Sequence, residues 1–194
     1  MTASGAEAAR THLTVLLGGV RSGKSARAVA LARAAAGGGR VLFVATAEAL
    51  DDDMASRIAA HRAERPSDWD TLEAPLDLAG DLARAFAAAP EPYAVVVIDC
   101  LTLWVSNLLL SLPDPDAAEQ VARERTGALL SVCRAGPPAA RWILVSNEVG
   151  LGVVPPTPLG RRYRDALGRA NQLAAAAADA VTLMVAGLAL PLKP

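Results

Sequence analysis

Residues 18–25 read Gly-Gly-Val-Arg-Ser-Gly-Lys-Ser, with an apolar strand-like run at 13–17 before them and an alanine-rich, helix-like run at 26–36 after them. Strand, glycine-rich turn and helix in this order predict a phosphate-binding P-loop. The turn directs backbone N–H groups at phosphate oxygens, and the helix adds the positive end of its dipole. In this pattern Lys24 reaches the β- and γ-phosphates and Ser25 holds Mg²⁺. The residues predicted to bind nucleotide are Gly18, Gly19, Val20, Arg21, Ser22, Gly23, Lys24 and Ser25.

The composition bounds the class of protein. A chain of 194 residues is long enough to bury a core without disulfides or metal staples. We expect a disordered or extended lead-in over 1–12 and a single P-loop catalytic domain over 13–194. The net charge is -1 and only 4% of the residues are aromatic. A nucleic-acid partner is therefore not expected, because the chain offers neither an overall basic field nor a base-stacking surface.

The two cysteines and the most apolar segment indicate where in the cell the protein works. Cys100 and Cys133 have no metal-ligand spacing, and we expect both to be buried, reduced thiols, which favours the cytoplasm. The segment 93–112 is apolar enough to suggest a membrane span. Polar residues interrupt it, among them Asp99, Thr102, Ser106 and Asn107. We interpret it as a strand followed by a helix, so no membrane span is expected.

Strand-like and helix-like runs alternate along the whole chain. Further strands are predicted over 41–45, 94–98, 142–146, 181–185 and 188–192, and further helices over 51–65, 76–88, 101–112, 116–134 and 158–178. The alternation predicts an α/β fold of the P-loop NTPase (RecA-like) type, with three layers, a mostly parallel sheet and a C-terminal antiparallel hairpin. It also argues against a chance P-loop match in a chain rich in alanine and glycine. The first strand, helix and strand predict parallel pairing of 13–17 with 41–45.

Polar residues follow two of the predicted strands. Asp99 ends a β-branched run, which is the Walker B arrangement, where a carboxylate orients Mg²⁺ beside the P-loop serine. The alternative is an aspartate that caps the next helix. Asn147 and Glu148 follow the strand at 142–146, and ligands collect at this carboxyl edge of an open α/β sheet. A loop over 149–156 comes next, and Thr157 then predicts a helix start with proline at its first position.

The predicted helix over 158–178 carries several basic residues that could reach a substrate phosphate. They are Arg161, Arg162, Arg164 and Arg169. The alternative is a solvated helix face in which Arg162 pairs with Asp165.

Histidine chemistry has two candidate positions, His12 and His61. His12 lies at the amino end of the first strand, which is the wrong edge of the sheet for phosphate chemistry. On a helix His61 shares a face with Arg65 and lies beside Arg57, and such neighbours favour a neutral imidazole and attract phosphates. That combination suits nitrogen attack on phosphorus. The alternative is a histidine that only packs or forms hydrogen bonds within the helix.

Four ordered blocks of sequence resemble one known family. The blocks are residues 18–25, residues 44–58 with His61 and Arg62 following, residues 98–104, and Ser-Asn-Glu-Val-Gly at 146–150. Over about residues 13–192 the chain resembles the bifunctional adenosylcobinamide kinase / adenosylcobinamide-phosphate guanylyltransferase family of cobalamin biosynthesis. The resemblance implies phosphorylation of adenosylcobinamide by ATP or GTP, and then transfer of GMP from GTP through a guanylyl-histidine. The matching histidine is His61.

The same resemblance implies further contacts and an assembly. Nucleotide contacts beyond the P-loop fall on Ala45, Thr46, Ala47, Arg62, Ala63, Glu64, Arg65, Glu73 and Asp99. Lys24 and His61 would be catalytic, and Mg²⁺ would be held by Ser25 and Asp99. A homotrimer is implied, and exposed apolar surface on the 101–112 helix would fit one. Relatives can carry a second histidine where this chain has Ala60.

Two other functions stay open at this point. A monofunctional P-loop kinase for a small molecule would leave His61 incidental. A regulatory P-loop ATPase or nucleic-acid motor is disfavoured by the neutral charge and few aromatic residues, and nucleic-acid-stimulated hydrolysis would support it.

Overall fold

The structure is a computed structural model that describes residues 11–48, 62 and 66–194. His61, Ala63, Glu64 and Arg65 therefore lie outside the described residues, as does most of the helix predicted over 51–65. Arg62 is described and helical.

Strands and helices alternate as the sequence predicts. The strands are β1 His12–Gly18, β2 Val41–Ala45, β3 Asp70–Glu73, β4 Val95–Asp99, β5 Arg141–Val145, β6 Ala180–Val185 and β7 Leu188–Lys193. The helices whose bounds the structure describes are α1 Lys24–Ala36, α2 Leu78–Ala88, α3 Leu101–Ser111, α4 Ala118–Ala135 and α5 Pro158–Ala177, with a short 3-10 helix at Pro115–Ala117. Thr157 caps α5 as predicted, accepting a hydrogen bond from the Gly160 N–H.

The described strands form one seven-stranded sheet in the order β3-β2-β4-β5-β1-β6-β7. Neighbours are parallel except for β6 and β7, which form an antiparallel hairpin. The prediction of an α/β fold with a C-terminal hairpin is therefore confirmed. The predicted pairing of β1 with β2 is wrong, because β4 and β5 lie between them. Both strands do run in the same direction.

Strand β3 was not predicted, and its composition explains why. Its sequence, Asp-Thr-Leu-Glu, contains one apolar residue, and it occupies the edge of the sheet beside β2. Its first residue, Asp70, accepts a hydrogen bond of 2.6 Å from Arg40. Pairing with β2 and this ion pair define β3, and neither leaves a periodic pattern in the sequence.

Two apolar clusters fill the two faces of the sheet and create three layers. Helix α1 covers one face, where Ala28 and Ala32 pack against Leu16 and Val97. Helices α2 to α5 cover the other face. Residues 95–98 of β4 are buried on both faces, which accounts for their unbroken apolar run. The middle of the sheet is thus enclosed on both faces.

The exposed apolar surface is not where the sequence suggested. Helix α3 is mostly buried, and among its leucines Leu110 is the exposed one. Exposed apolar side chains lie instead on the β6–β7 hairpin, at Val185, Leu188, Leu190 and Leu192, and on the segment between β5 and α5. Helix α3 is buried because α5 and α4 pack against it on the face opposite α1.

Two further observations concern the thiols and the helices. Cys133 is buried as expected, but Cys100 is only partly buried because it lies at the open edge of the sheet. Within the described part of the chain, no helix combines the length and hydropathy needed to cross a bilayer.

Candidate functional site

The P-loop follows β1 and turns sharply before α1. Gly18 has φ +150°, and a Cβ there would lie 2.4 Å from the Met184 carbonyl oxygen, so only glycine fits. Gly23 has φ +93° and provides no side-chain cap for α1, which begins at Lys24. The first N–H groups of α1 are thus presented without a capping side chain, as an anion site requires.

The turn of the C-terminal hairpin supports the P-loop from behind. The Gly187 N–H donates a hydrogen bond of 3.0 Å to the Ser22 carbonyl oxygen. A Cβ at Gly23 would lie 3.4 Å from the Gly187 Cα. The turn can approach so closely because Ala186 and Gly187 both take left-handed conformations, with φ 51° and 82°. The shape of the loop thus depends on the hairpin.

Lys24 is held inside the P-loop. Its side chain is only 7% exposed. The ammonium donates a hydrogen bond of 2.5 Å to the Gly19 carbonyl oxygen and lies 3.4 Å from the Ser22 hydroxyl. Burial lowers the pKa of Lys24, while the neighbouring Asp99 and Cys100 act in the opposite direction. Lys24, Cys100 and Asp99 therefore share one electrostatic environment.

Asp99 stands at the carboxyl end of β4, and its carboxylate acts to raise the pKa of the P-loop lysine against the effect of burial. The N-cap position of α3 belongs to Cys100 rather than Asp99, and Cys100 caps it without a side-chain hydrogen bond. Burial and the neighbouring Asp99 carboxylate raise the pKa of the Cys100 thiol to about 11. The Asp99 carboxylate and the Ser25 hydroxyl are hard oxygen donors of the kind that Mg²⁺ prefers. The donor set fits a magnesium ion shared with nucleotide phosphates.

Thr46 holds the backbone at the end of β4 from the neighbouring strand. It is completely buried. Its hydroxyl donates to the Cys100 carbonyl oxygen over 2.7 Å and accepts from the Cys100 N–H over 2.8 Å. The Asn107 amide of α3 donates to the Thr46 carbonyl oxygen over 2.8 Å and to the Pro75 carbonyl oxygen over 3.2 Å. We call Thr46, Cys100 and Asn107 the first polar cluster.

A second polar cluster lies at the ends of β5 and α3. The Ser146 hydroxyl donates to Asn171 Oδ1 over 2.7 Å, and the Asn171 amide donates to the Asn147 carbonyl oxygen over 3.0 Å. The Asn147 N–H donates to the Thr102 hydroxyl over 2.7 Å. The Tyr163 hydroxyl donates to the Thr102 carbonyl oxygen over 3.2 Å. Buried hydrogen bonds thus join α3, β5 and α5 at the carboxyl edge.

Sequence reasoning missed the helix members of both clusters. Thr102 and Asn107 were noted only as interruptions of an apolar segment, and Asn171 was not singled out. The available signal was a polar residue inside an otherwise apolar helix, which has to be hydrogen-bonded when buried. That signal indicates a partner but does not identify it.

Glu73, Ala45 and Asp99 end three neighbouring strands in one row. Ala45 is in register with Glu73 on one side and with Asp99 on the other. Arg62 forms an exposed ion pair with Glu73. Ala47 lies just beyond β2 and is partly buried. The described positions that the resemblance assigned to nucleotide binding therefore gather at one edge of the sheet.

The basic residues of α5 are all engaged, in pairs different from those expected. Arg162 pairs with Asp116, and Arg164 pairs with Asp165 over 2.9 Å. The Arg162–Asp165 pair that the alternative interpretation assumed is thus wrong, because Arg162 pairs with Asp116 of the 3-10 helix and Asp165 pairs with Arg164. Arg169 contacts Glu119 over 3.2 Å.

His12 lies at the amino end of β1, in register with Arg141. This is the edge of the sheet away from the P-loop, as the sequence predicts.

Comparison with known proteins gives one consistent result. A family model described as "CobU: Cobinamide kinase / cobinamide phosphate guanyltransferase" matches residues 14–192. The bifunctional adenosylcobalamin biosynthesis protein CobP of Pseudomonas aeruginosa is 48% identical over 179 residues, covering 92% of this chain and 96% of that protein. The CobU proteins of Escherichia coli and Salmonella typhimurium are each 40% identical over 189 residues, covering 93% of this chain and 99% of theirs.

A solved structure supports the fold. It is an ATPase domain that aligns with a TM-score of 0.52 at 14% identity, covering 89% of this chain and 68% of that one. This likeness shows the P-loop α/β architecture and nothing about substrate.

Proposed function

The chain belongs to the cobinamide kinase / cobinamide phosphate guanyltransferase family, and on that premise we propose that it carries out two reactions of cobalamin biosynthesis. In the first, the aminopropanol hydroxyl of adenosylcobinamide attacks the γ-phosphorus of ATP or GTP, the bond to the nucleoside diphosphate breaks, and the hydroxyl proton is released. In the second, GMP passes from GTP to the new phosphate, and pyrophosphate is released.

The observation that carries the proposal is the position of Lys24. Its ammonium is buried in the P-loop and shares its surroundings with Asp99 at the end of the next but one strand. A cation at this place stabilises negative charge that develops on transferred and departing phosphates. Its present acceptor, the Gly19 carbonyl oxygen, is a group that a phosphate oxygen can replace.

A histidine nucleophile gives the second reaction its two steps. An imidazole nitrogen of His61 attacks the α-phosphorus of GTP as the bond to pyrophosphate breaks, which leaves a phosphorus–nitrogen bond to GMP. A phosphate oxygen of adenosylcobinamide phosphate then attacks the same phosphorus, and the bond to nitrogen breaks. Covalent catalysis of this kind divides one difficult displacement into two easier ones.

Ser25 and Asp99 would hold Mg²⁺. When bound, the cation neutralises phosphate charge beside the P-loop. The backbone N–H groups at the start of α1 then orient the nucleotide phosphates. The Lys24 ammonium stabilises the negative charge that develops on the phosphates during transfer.

Further nucleotide contacts remain assigned by family resemblance. Beyond the P-loop itself, these contacts are Ala45, Thr46, Ala47, Arg62, Ala63, Glu64, Arg65, Glu73 and Asp99. The row formed by Glu73, Ala45 and Asp99 supports this assignment, because the three ends lie on adjacent strands. We give Thr46 a supporting part in it, since its hydroxyl already donates to and accepts from the Cys100 backbone.

We also assign the protein to the cytoplasm as a homotrimer. Both thiols are free, which fits a reducing compartment. The exposed apolar side chains of the β6–β7 hairpin support a subunit contact, since a monomer gains nothing from leaving an apolar edge strand in water.

Labelling with GTP tests the histidine assignment. Incubation with Mg²⁺ and GTP labelled at the α-phosphorus should give an acid-labile, base-stable protein adduct. His61→Ala should abolish the adduct and spare phosphorylation of adenosylcobinamide by γ-labelled nucleotide. His12→Ala is the matched control and should keep the adduct, because His12 lies at the opposite edge of the sheet.

The other two functions give different results in the same assays. A wild-type protein that phosphorylates the substrate without forming an adduct would be a monofunctional kinase. Hydrolysis that is stimulated by DNA or RNA, without phosphorylation of adenosylcobinamide, would favour a motor or regulatory ATPase.

A further inference from the structure

The segment between β5 and α5 exposes an unusual amount of apolar surface. Leu151, Val153 and Val154 are 79%, 94% and 62% exposed, and Leu159 at the start of α5 is 41% exposed. They follow Glu148 directly at the carboxyl edge of the sheet. Apolar side chains in a cluster of this kind usually mark a binding surface.

This exposure does not come from a loose loop, because both ends of the segment are fixed. The Glu148 N–H donates to the P-loop Gly18 carbonyl oxygen over 3.1 Å, and its carboxylate accepts from the Gly150 N–H over 3.1 Å. At the other end, Arg161 donates to the carbonyl oxygens of Pro155 and Pro156 over 3.1 and 2.9 Å. The apolar side chains between these anchors are therefore held in water by the fold.

A groove of about 360 Å³ lies beside the segment, between Gly150, the start of α4 and the outer side of α5. Its charged residues are already paired, Arg164 with Asp165 and Arg169 with Glu119. The groove therefore offers hydrogen-bond donors and acceptors in balance rather than a surplus of positive charge.

Gly168 keeps the groove open in the middle of α5. Glycine destabilises a helix interior, so it needs a reason to stand there. A Cβ at Gly168 would meet nothing within 4 Å, so packing does not require glycine at this position. Because Gly168 lines the groove, the missing side chain leaves room for something outside the chain.

The groove lies close to the P-loop. Gly150 comes two residues after Glu148, whose N–H is 3.1 Å from the Gly18 carbonyl oxygen. With about 3.8 Å between consecutive Cα atoms, the rim of the groove lies within roughly 12 Å of the P-loop backbone. A ligand in the groove can thus extend an arm to the phosphates.

We propose that this groove, together with the apolar side chains of residues 151–154, binds the corrin ring of the second substrate, an inference that rests on the proposed function. A corrinoid has a broad apolar ring face surrounded by primary amides, each of which both donates and accepts hydrogen bonds. The apolar segment suits the ring face, and the paired Arg164–Asp165 and Arg169–Glu119 suit the amides. The reacting hydroxyl at the end of its side arm would reach the P-loop.

Other occupants fit less well. A nucleotide would need unpaired cations for its phosphates, and the arginines of the groove already have carboxylate partners. A second copy of the chain would cover apolar side chains, but it would not account for an open groove with balanced polar groups at the substrate edge.

Filling the groove from within tests the proposal with a matched control. Gly168→Leu projects into the groove, and Gly127→Leu makes the same change in α4, where a Cβ also meets nothing within 4 Å. Equilibrium dialysis of adenosylcobinamide, followed by its visible absorbance, measures affinity directly. We expect Gly168→Leu to weaken binding at least tenfold and Gly127→Leu to leave it unchanged, with adduct formation from GTP equal in both.

A second pair of variants covers the case in which Gly168→Leu does not fold. Val153→Asp changes an exposed side chain of the apolar segment, and Leu110→Asp changes an exposed leucine near the far end of α3. We expect only Val153→Asp to weaken corrinoid binding and raise the KM for adenosylcobinamide in the kinase assay. Unchanged affinity in both Gly168→Leu and Val153→Asp would overturn the proposal, as would a changed oligomeric state of Val153→Asp with unchanged affinity.

Failure of the proposed function is distinguishable from failure of the groove. A wild-type protein that binds adenosylcobinamide without phosphorylating it or forming a GMP adduct would refute the function, and the variants would still locate the corrinoid. A wild-type protein that does not bind adenosylcobinamide would overturn both.

Discussion

The P-loop and the two polar clusters meet at the same edge of the sheet but treat their polar atoms in opposite ways. The P-loop presents the start of α1 without a side-chain cap and holds Lys24 on a carbonyl oxygen that a ligand can replace. In the clusters, the side chains of Thr46 and Asn171 form hydrogen bonds with the backbone at the ends of neighbouring strands. One region is prepared for an external partner, and the other is satisfied internally. Substitutions should therefore separate loss of chemistry from loss of stability.

The largest effect is expected from Lys24→Ala. Loss of one charge that stabilises transferred phosphate should lower both activities by about 10²- to 10³-fold. Stability should not fall, because burial of the ammonium already opposes its charge. Initial rates and urea unfolding measure the two effects.

Lys193→Ala is its matched control, because the chain has a second lysine on β7, where its ammonium contacts the backbone near the end of α5. This variant should retain both activities. Equal losses in the two lysine variants would mean that the P-loop lysine has no special part in the chemistry.

Gly18→Ala should distort the backbone of the P-loop. The new Cβ would lie 2.4 Å from the Met184 carbonyl oxygen, and φ is +150°. We expect a loss of about 1–3 kcal/mol in unfolding free energy together with weaker nucleotide binding.

Gly19→Ala provides the comparison, since a Cβ at Gly19 meets nothing within 4 Å. It should unfold nearly like the wild-type protein. If both alanine variants are equally stable in urea, the close approach of the hairpin to Gly18 does not constrain the loop.

Thr46→Val should affect stability and leave the chemistry nearly intact. The change keeps the shape and removes both hydrogen bonds to the Cys100 backbone, so we expect a cost of about 1–3 kcal/mol. The kcat of the folded fraction should stay within about threefold of the wild-type value, a difference of less than about 1 kcal/mol in the barrier.

Thr71→Val on the exposed strand β3 is the control and should be close to neutral. A Thr46→Val protein that is fully stable but inactive would mean that Thr46 takes part in the chemistry rather than only supporting the fold.

The smallest effect concerns the alkaline limit of stability. Burial raises the pKa of Cys133 from 9.0 to about 12. Between these values the unfolded chain releases the thiol proton and the native chain keeps it, so the free energy of unfolding falls as pH rises above 9.0. Cys133→Ala should make this decline shallower in urea unfolding between about pH 8 and 11. A decline with the same slope in both proteins would contradict the assignment.

Local geometry made the P-loop predictable. Its turn requires glycine at Gly18 and Gly23, and the lysine and serine follow at fixed spacing, so eight consecutive letters contain the whole pattern. Asp99 was equally accessible, because a buried strand with an acidic end is also a local pattern. The order of the strands beyond the hairpin was not, since it depends on which strands later fill the middle of the sheet.

The first polar cluster could not be predicted from a local sequence pattern. Thr46 reaches Cys100 across 54 residues, and Asn107 reaches Thr46 across 61 residues. Nothing near Thr46 in the sequence indicates either partner. Strand β3 is similar, because four largely polar residues become a strand only by pairing with β2. Long-range hydrogen bonds therefore determined what sequence reasoning missed.

The position of β1 between β5 and β6 has a consequence for how the protein is made. The Leu13 backbone meets Asp179 across 166 residues, and the P-loop rests on Gly187. The first strand to leave the ribosome thus waits for strands translated much later, and the loop has no hairpin behind it until Gly187 has emerged. A nascent chain stopped before that point has the complete nucleotide-binding sequence and no finished site. Ribosome-bound chains of increasing length should gain nucleotide binding in one late step.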